Sequence, residues 1–305
     1  MSIDFKDRVA IITGAGGGLG RSHALALAAR GVKIVVNDLG GTVEGTGGSK
    51  TMAQQVVAEI EAMGGEAIAN GANVTKQDEV DAMVAEAIAH FGKVDILINN
   101  AGILRDKSFT KMDMADFRMV VDVHLIGSAN CTKAVWGHMK ENQYGRIMMT
   151  SSSSGMYGNF GQANYGAAKA ALSGLMRTLC LEGAKYDIRC NTLLPVAATR
   201  MTENLMPAEI LEKLTPESVS QGVVYLVCDD APNRTMLAAG AGGYAVTKVF
   251  ETSGVNFDEG DQTAENIAKH WAAISNEDGM EEFTNGGQQG AKFLGRVQTG
   301  DYTKG

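Results

Sequence analysis

The sequence predicts a doubly wound α/β fold built on a parallel sheet, and three observations carry that reading. Short continuous apolar runs alternate with amphipathic runs from the start of the chain to about residue 250. Strands buried on both faces read as unbroken apolar runs, and the helices covering them show one apolar stripe. The first apolar run opens directly into a glycine-rich turn followed by a helical pattern. Glycine accounts for 38 of the 305 residues, against 4 prolines, with no Gly-X-Y period. The excess therefore belongs in tight turns and close backbone approaches, not in a fibre.

The elements follow in order. Residues 9–12 form a β-branched first strand, and the helix after it runs to Arg30 with Gly31 as its cap. Residues 32–36 are a second strand. The stretch GGTVEGTGGSK separates it from a helix over 51–63, closed by Gly64-Gly65. Ile68 marks a third strand, 78–90 a helix, 94–98 a fourth strand and 113–140 one long helical region. A fifth strand spans 146–150, a helix 162–185 and a sixth strand 188–194. No linker breaks residues 1–250, which read as one domain. Residues 251–305 turn polar and glycine-rich, with one helix over 264–274, and read as a C-terminal extension.

Composition excludes several classes of function. With 45% hydrophobic residues a large core is available, so global disorder is excluded. A net charge of −8 argues against nucleic acid, whose phosphates require a basic partner. No run of about 18 apolar residues exists to span a membrane. The N-terminus reads as a first strand, not a signal peptide. Four scattered cysteines without a C-x-x-C give neither a disulfide framework nor a metal cluster, so no metal and a reducing, cytoplasmic setting are expected.

The turn Thr13-Gly14-Ala15-Gly16-Gly17-Gly18-Leu19-Gly20 has the form of a phosphate cradle. Glycines let a pyrophosphate approach the backbone, and the helix that follows points its N–H groups at the anion. The acid at the end of the second strand, Asp38, lies 38 − 18 = 20 residues beyond Gly18. A carboxylate there accepts the ribose hydroxyls of NAD and repels the 2′-phosphate of NADP. NAD is the expected cofactor, and Arg21 is expected only to cover its helix.

Further on, Tyr165 and Lys169 stand four residues apart, on one face of a helix. An ammonium and a cationic nicotinamide beside a phenol favour the phenolate, which makes tyrosine a usable base. Ser152, thirteen residues before Tyr165, is placed to hold a substrate oxygen.

Taken together, TGAGGGLG, Asn99-Asn100-Ala101-Gly102, Ser152 before Tyr165-x-x-x-Lys169, and Pro195 after the sixth strand resemble the classical short-chain dehydrogenase/reductase family over about residues 6–243. The resemblance implies a Rossmann-like sheet of seven strands. It implies Tyr165 as acid/base, Lys169 on the nicotinamide ribose, and Ser152 orienting the substrate. Gly14, Gly18, Leu19, Gly20 and Asp38 would hold the dinucleotide, Asn73 and Val74 would flank the adenine, and Asn100, Ala101 and Gly102 would line the cofactor. Pro195, Ala198 and Thr199 would close over the nicotinamide amide. It also implies a homodimer or homotetramer through the helix carrying Ala163, Gly166, Ala167, Ala170, Ala171 and Gly174, although these small residues also suit packing on the sheet.

A narrower resemblance, through VVNDLGG, NNAGILRDKSF and CNTLLPVAATRMT, is to the (3R)-hydroxyacyl-CoA dehydrogenase unit of multifunctional enzymes, often labelled 17β-hydroxysteroid dehydrogenase type 4, here in free-standing form. It implies a small-molecule substrate, an acyl-CoA or a steroid. Free steroid as substrate and a non-catalytic NAD-binding regulator are the rival readings. His124 stands where the classical family has an asparagine, as a proton relay or as a support for the helix. Pro195-Val196 replaces the usual Pro-Gly. Met201, Leu205, Met206, Ile210, Leu211 and Leu214 form an apolar stripe that reads either as a substrate lid or as a core-facing helix. Arg105, Lys107 and Arg200 read either as contacts for a CoA phosphate or as ordinary solvated surface charges.

Overall fold

The computed structural model describes residues 3–42, 44, 51–197 and 208–299. The chain divides into two compact units, Met1–Val246 and Thr247–Gly305.

In the first unit, the described residues form an eight-stranded sheet of order β3-β2-β1-β4-β5-β6-β7-β8. The strands are β1 (Val9–Thr13), β2 (Lys33–Asn37), β3 (Ala67–Asn70), β4 (Ile96–Asn99), β5 (Gly145–Thr150), β6 (Ile188–Val196), β7 (Met236–Gly240) and β8 (Gly243–Thr247). Every pairing from β3 to β7 is parallel, with Ile11 opposite Val35 and Leu97 opposite Ile147. The resemblance implied seven strands. The eighth follows β7 through Ala241 and Gly242, both left-handed at φ 48 and 75. A two-residue turn of that kind makes a hairpin, so β8 runs antiparallel to β7.

Successive strand residues face opposite sides, so a sheet covered on both faces needs both sides apolar. Ile12 and Val36 enter one core with Leu27, Val56 and Val223. Their neighbours Ile11 and Val35 enter the other with Met83, Val135 and Leu172. The covering helices are α1 (Gly18–Ala28), α2 (Thr51–Ala62), α3 (Gln77–Phe91), α4 (Met114–Val121), α5 (Gly127–Glu141), α6 (Ser153–Tyr157), α7 (Ala163–Gly183), α8 (Ala208–Leu211) and α9 (Pro216–Leu226). All four cysteines are buried and free, and burial pushes the Cys131 thiol up to about 12.

The expected single helix over 113–140 is instead α4 and α5 joined by a π-helical turn, Asp122–Ile126. The Ser128 hydroxyl donates to the His124 carbonyl at 2.6 Å, and Gly127 packs so closely on Val74 that a Cβ would lie 2.7 Å from it. A side-chain bond to the carbonyl four residues back perturbs the regular ladder at this point.

In the second unit, the expected helix over 264–274 is broken at His270 into α10 (Ala264–Lys269) and α11 (Trp271–Ile274). A further helix, α12 (Gly286–Thr299), was not expected from so polar and glycine-rich a stretch. Its Lys292 side chain is buried; Nζ donates to the Thr252 carbonyl and to Glu251 Oε1, 3.1 Å away. Among the described residues no helix is long and apolar enough to cross a membrane.

Candidate active site

A cavity of about 690 Å³ opens at the carboxyl ends of the strands, where the order reverses between β1 and β4. In doubly wound sheets this crevice is the ligand site. It is lined by Gly14, Gly18, Leu19, Asp38, Asn73, Val74, Asn100, Ala101, Gly102, Tyr165, Lys169 and Pro195. Twelve of the expected site residues therefore share one space.

The floor is the glycine turn. Gly14 is left-handed at φ 64, and a Cβ there would lie 2.8 Å from Ala101 Cα. Asn100 staples the turn, since its Nδ2 donates to the carbonyls of Thr13 and Gly14, both at 3.0 Å. Thr13 Oγ1 in turn accepts from the amides of Asn100 and Ala101. Gly20 does not line the cavity; a Cβ on it would run into the Gly14 carbonyl, so it permits α1 to pack on the turn. The cradle thus has an open backbone floor with a helix N-terminus behind it, as a pyrophosphate requires. Arg21 is paired with Glu59, as its covering role anticipated.

On the adenine side, the Asn73 side chain accepts from the Thr75 amide and hydroxyl. Asn130 Nδ2 holds the Val74 carbonyl at 3.0 Å. Thr75, Lys76 and Met119 also line this end. No local pattern in the sequence marks them; only their meeting at one cavity does.

The chemical end is built from β5, α6 and α7. Ser152 lies two residues beyond β5 and caps α6, its hydroxyl accepting from the Ser154 amide at 3.2 Å. It lies outside the cavity lining, but its hydroxyl sits beside the Tyr165 phenol and favours the phenolate. Lys169 is buried at 3% exposure, and its Nζ donates to the Thr150 carbonyl. Burial pulls that amine down to about 7.

The acidification expected of Tyr165 rests on the Lys169 ammonium together with a cationic nicotinamide. Burial raises the phenol to about 12, with the Ser152 hydroxyl opposing and Asp106 adding to the rise. The amine is itself desolvated and spends its bond on Thr150, 5.4 Å from the phenol ring centroid.

His124 is 2% exposed and stacks edge-to-face on Tyr165, centroids 5.2 Å apart. Its Nε2 lies 2.9 Å from the Ile103 carbonyl and 3.2 Å from the Ile103 amide, while Nδ1 is buried with no partner among the described residues. Burial and the nearby Lys169 push its pKa well below the usual range, so the imidazole is neutral. It ties the Gly102–Ile103 segment to the phenol. A Cβ on Gly102 would enter the imidazole ring. Gly102→Ala should therefore cost about 1–3 kcal/mol of stability, read as a lower urea midpoint, and should lower turnover with it.

Other expectations divide. Ala198, Thr199, Arg200, Met201, Leu205 and Met206 lie outside the described residues, as does the Ile210 side chain. Leu214 is buried at 8% exposure, as a core-facing position would be. Arg105 pairs with Asp116 at 2.6 Å and donates to the Glu44 carbonyl, and Lys107 reaches the same carboxylate at 3.5 Å. Both cations are already partnered within the fold.

A half-buried phenol and hydroxyl with a buried amine, beside a glycine-floored cradle, form a site for moving a proton to or from a substrate oxygen. Comparison with known proteins agrees. The family model "short chain dehydrogenase" matches residues 8–210. A short-chain type dehydrogenase/reductase of Mycobacterium tuberculosis is 47% identical over 271 residues, covering 88% of this chain and 94% of that protein. The full-length peroxisomal multifunctional enzyme type 2 of Drosophila melanogaster superposes with a TM-score of 0.81 at 34% identity. That match covers 97% of this chain, which spans half the length of that protein. A 7α-hydroxysteroid dehydrogenase, solved with NADH and 7-oxo glycochenodeoxycholic acid, superposes at 0.70 with 30% identity, over 79% of this chain and 95% of its own.

Proposed function

The chain belongs to the short-chain dehydrogenase family, oxidoreductases acting on CH–OH groups, and from that premise we propose that it oxidises the 3-hydroxyl of a 3-hydroxyacyl-CoA to a ketone with NAD. The observation that carries this reading is the likeness to the multifunctional enzyme across nearly the whole chain, the second unit included. Asp38 in the cavity wall supports NAD over NADP, since a fixed carboxylate repels a 2′-phosphate.

Bound NAD supplies the acceptor for the carbinol hydrogen with its electron pair, and a positive charge at the site. Gly14, Gly18 and Leu19 hold the pyrophosphate, Asp38 the adenine ribose, and Asn73 and Val74 the adenine. Asn100, Ala101, Gly102 and Pro195 line the remaining wall, with Ala198 and Thr199 following Pro195 in the chain. Ser152 holds the substrate hydroxyl against Tyr165. The phenolate of Tyr165 takes the hydroxyl proton as the carbon–oxygen double bond forms. Lys169 holds the nicotinamide ribose, and its protonated fraction adds to the positive charge of bound NAD in favouring a phenolate that burial opposes.

The apolar surface of a steroid is the second candidate, because a hydroxysteroid dehydrogenase shares the fold. Purified protein with NAD, followed by NADH absorbance, decides between them. The reading expects turnover of 3-hydroxyacyl-CoA thioesters well above that of free estradiol or testosterone; the reverse order would replace it. A homodimer or homotetramer through α7 fits Ala167 and Gly174, which are exposed on that helix, Gly174 with open space before it. Four free thiols suit a reducing, cytoplasmic setting.

A further inference from the structure

We propose that Gly16 is a positioning residue that sets which dinucleotide the chain accepts, by locking the Asp38 carboxylate in one orientation. The inference rests on the NAD reading above and names the device behind it.

An aspartate at the mouth of a strand has several side-chain wells and could swing outward, making room for a 2′-phosphate. Asp38 is held from both sides. Its Oδ2 accepts from the Gly16 amide at 2.8 Å, and its Oδ1 accepts from the Gly40 amide at 2.7 Å. Its own amide donates to the Asn70 carbonyl at 3.0 Å, so the backbone beneath it is fixed as well. Each carboxylate oxygen accepts more than one hydrogen bond. The clamp therefore uses one position on each oxygen and leaves another for the two ribose hydroxyls, both of which bring donors. A phosphate dianion brings none, and it meets a charge that cannot retreat.

The clamp needs residue 16 to have no side chain. A Cβ there would stand 2.8 Å from both Cγ and Oδ2 of Asp38, and 2.9 Å from the Cβ of Met52 at the start of α2. Met52 Cβ is anchored to a helix backbone and cannot rotate away. The Asp38 carboxylate can, so it is the group that an added methyl displaces. Gly16 is not among the left-handed glycines, so alanine suits its backbone and acts through its contacts with Asp38 and Met52. The glycine-rich turn thereby does two things: it admits the pyrophosphate at Gly14 and Gly18, and it aims the acid through Gly16.

The test is the binding of NADH and NADPH to the full chain, read by cofactor fluorescence, for the wild type, Gly16→Ala, Asp38→Asn and Asp38→Ala. The wild type should favour NADH. Gly16→Ala should narrow the NADH-to-NADPH affinity ratio by about tenfold or more, with Asp38 unchanged in the sequence. Asp38→Asn should bind NADH no better than Asp38→Ala, because its NH2 would face the N–H of Gly16 or Gly40. If the carboxylate served only as an acceptor free to turn, the asparagine would keep most of the affinity. A folded Gly16→Ala with the wild-type ratio, or an Asp38→Asn with near wild-type NADH affinity, overturns the inference while leaving NAD as the cofactor. A wild type that binds both cofactors equally overturns the NAD reading and this inference together. Should Gly16→Ala fail to fold, the comparison of asparagine with alanine at position 38 still decides.

Discussion

Tyr165→Phe should lower kcat by about 10²- to 10⁴-fold, the usual worth of a positioned acid/base group. The change removes one oxygen and keeps the ring. The edge-to-face contact with His124, centroids 5.2 Å apart, survives, and so does the cavity wall. NADH affinity should therefore stay within about twofold, which marks a group that acts in the transition state. The pH profile supplies a second readout. Oxidation needs the phenolate, and burial holds the phenol up to about 12 in the protein alone. Wild-type kcat should rise with pH through the neutral and alkaline range, while the residual activity of Tyr165→Phe should lose that slope. A variant with most of the wild-type rate would remove Tyr165 from the mechanism.

Lys169→Met should abolish most turnover and make the protein without cofactor more stable at low pH. The folded chain holds this amine at about 7, against 10.5 for an unperturbed lysine, and the cause is burial. Between those values the unfolded chain binds more protons than the folded one, so stability rises with pH across that window. The stability attached to this group is full above the unfolded value and is lost as pH falls to about 7. At pH 6 the penalty for enclosing the charge is on the order of 4 kcal/mol. Methionine carries no charge and fills similar space, though it gives up the bond to the Thr150 carbonyl. The melting temperature of Lys169→Met should exceed that of the wild type by roughly 5 °C at pH 6, and the gap should close toward pH 10. An equal gap at both pH values would show that the buried amine is not charged at low pH. The stability given up is the usual cost of a preorganised site.

Much of this was legible in the chain. Strands β1 to β6 and helices α1, α2, α3 and α7 follow from apolar runs and stripes, because a parallel sheet buried on both faces leaves its strands no polar side to hide. The cradle was legible because a turn that admits a phosphate must be glycine, whatever surrounds it. Tyr165 and Lys169 were legible because a helix fixes residues four apart on one face. The breaks in expectation have local causes too. The π-helical turn at Asp122–Ile126 depends on a hydroxyl bond from Ser128 and on Gly127 meeting Val74, a residue 53 positions earlier in the chain. Helix α9 was overlooked although Val219, Val223 and Val224 carry its apolar spacing.

What the linear order of residues determined by itself was the class of fold, the phosphate turn and the identity of the reacting side chains, because each rests on short-range spacing. What only the tertiary structure decided was their state. It raised the phenol by burial, drew the amine down to about 7, lowered the pKa of His124 and clamped Asp38 between Gly16 and Gly40. Solvation and hydrogen-bond supply depend on what packs around a group, and those neighbours come from strands and loops far away in sequence.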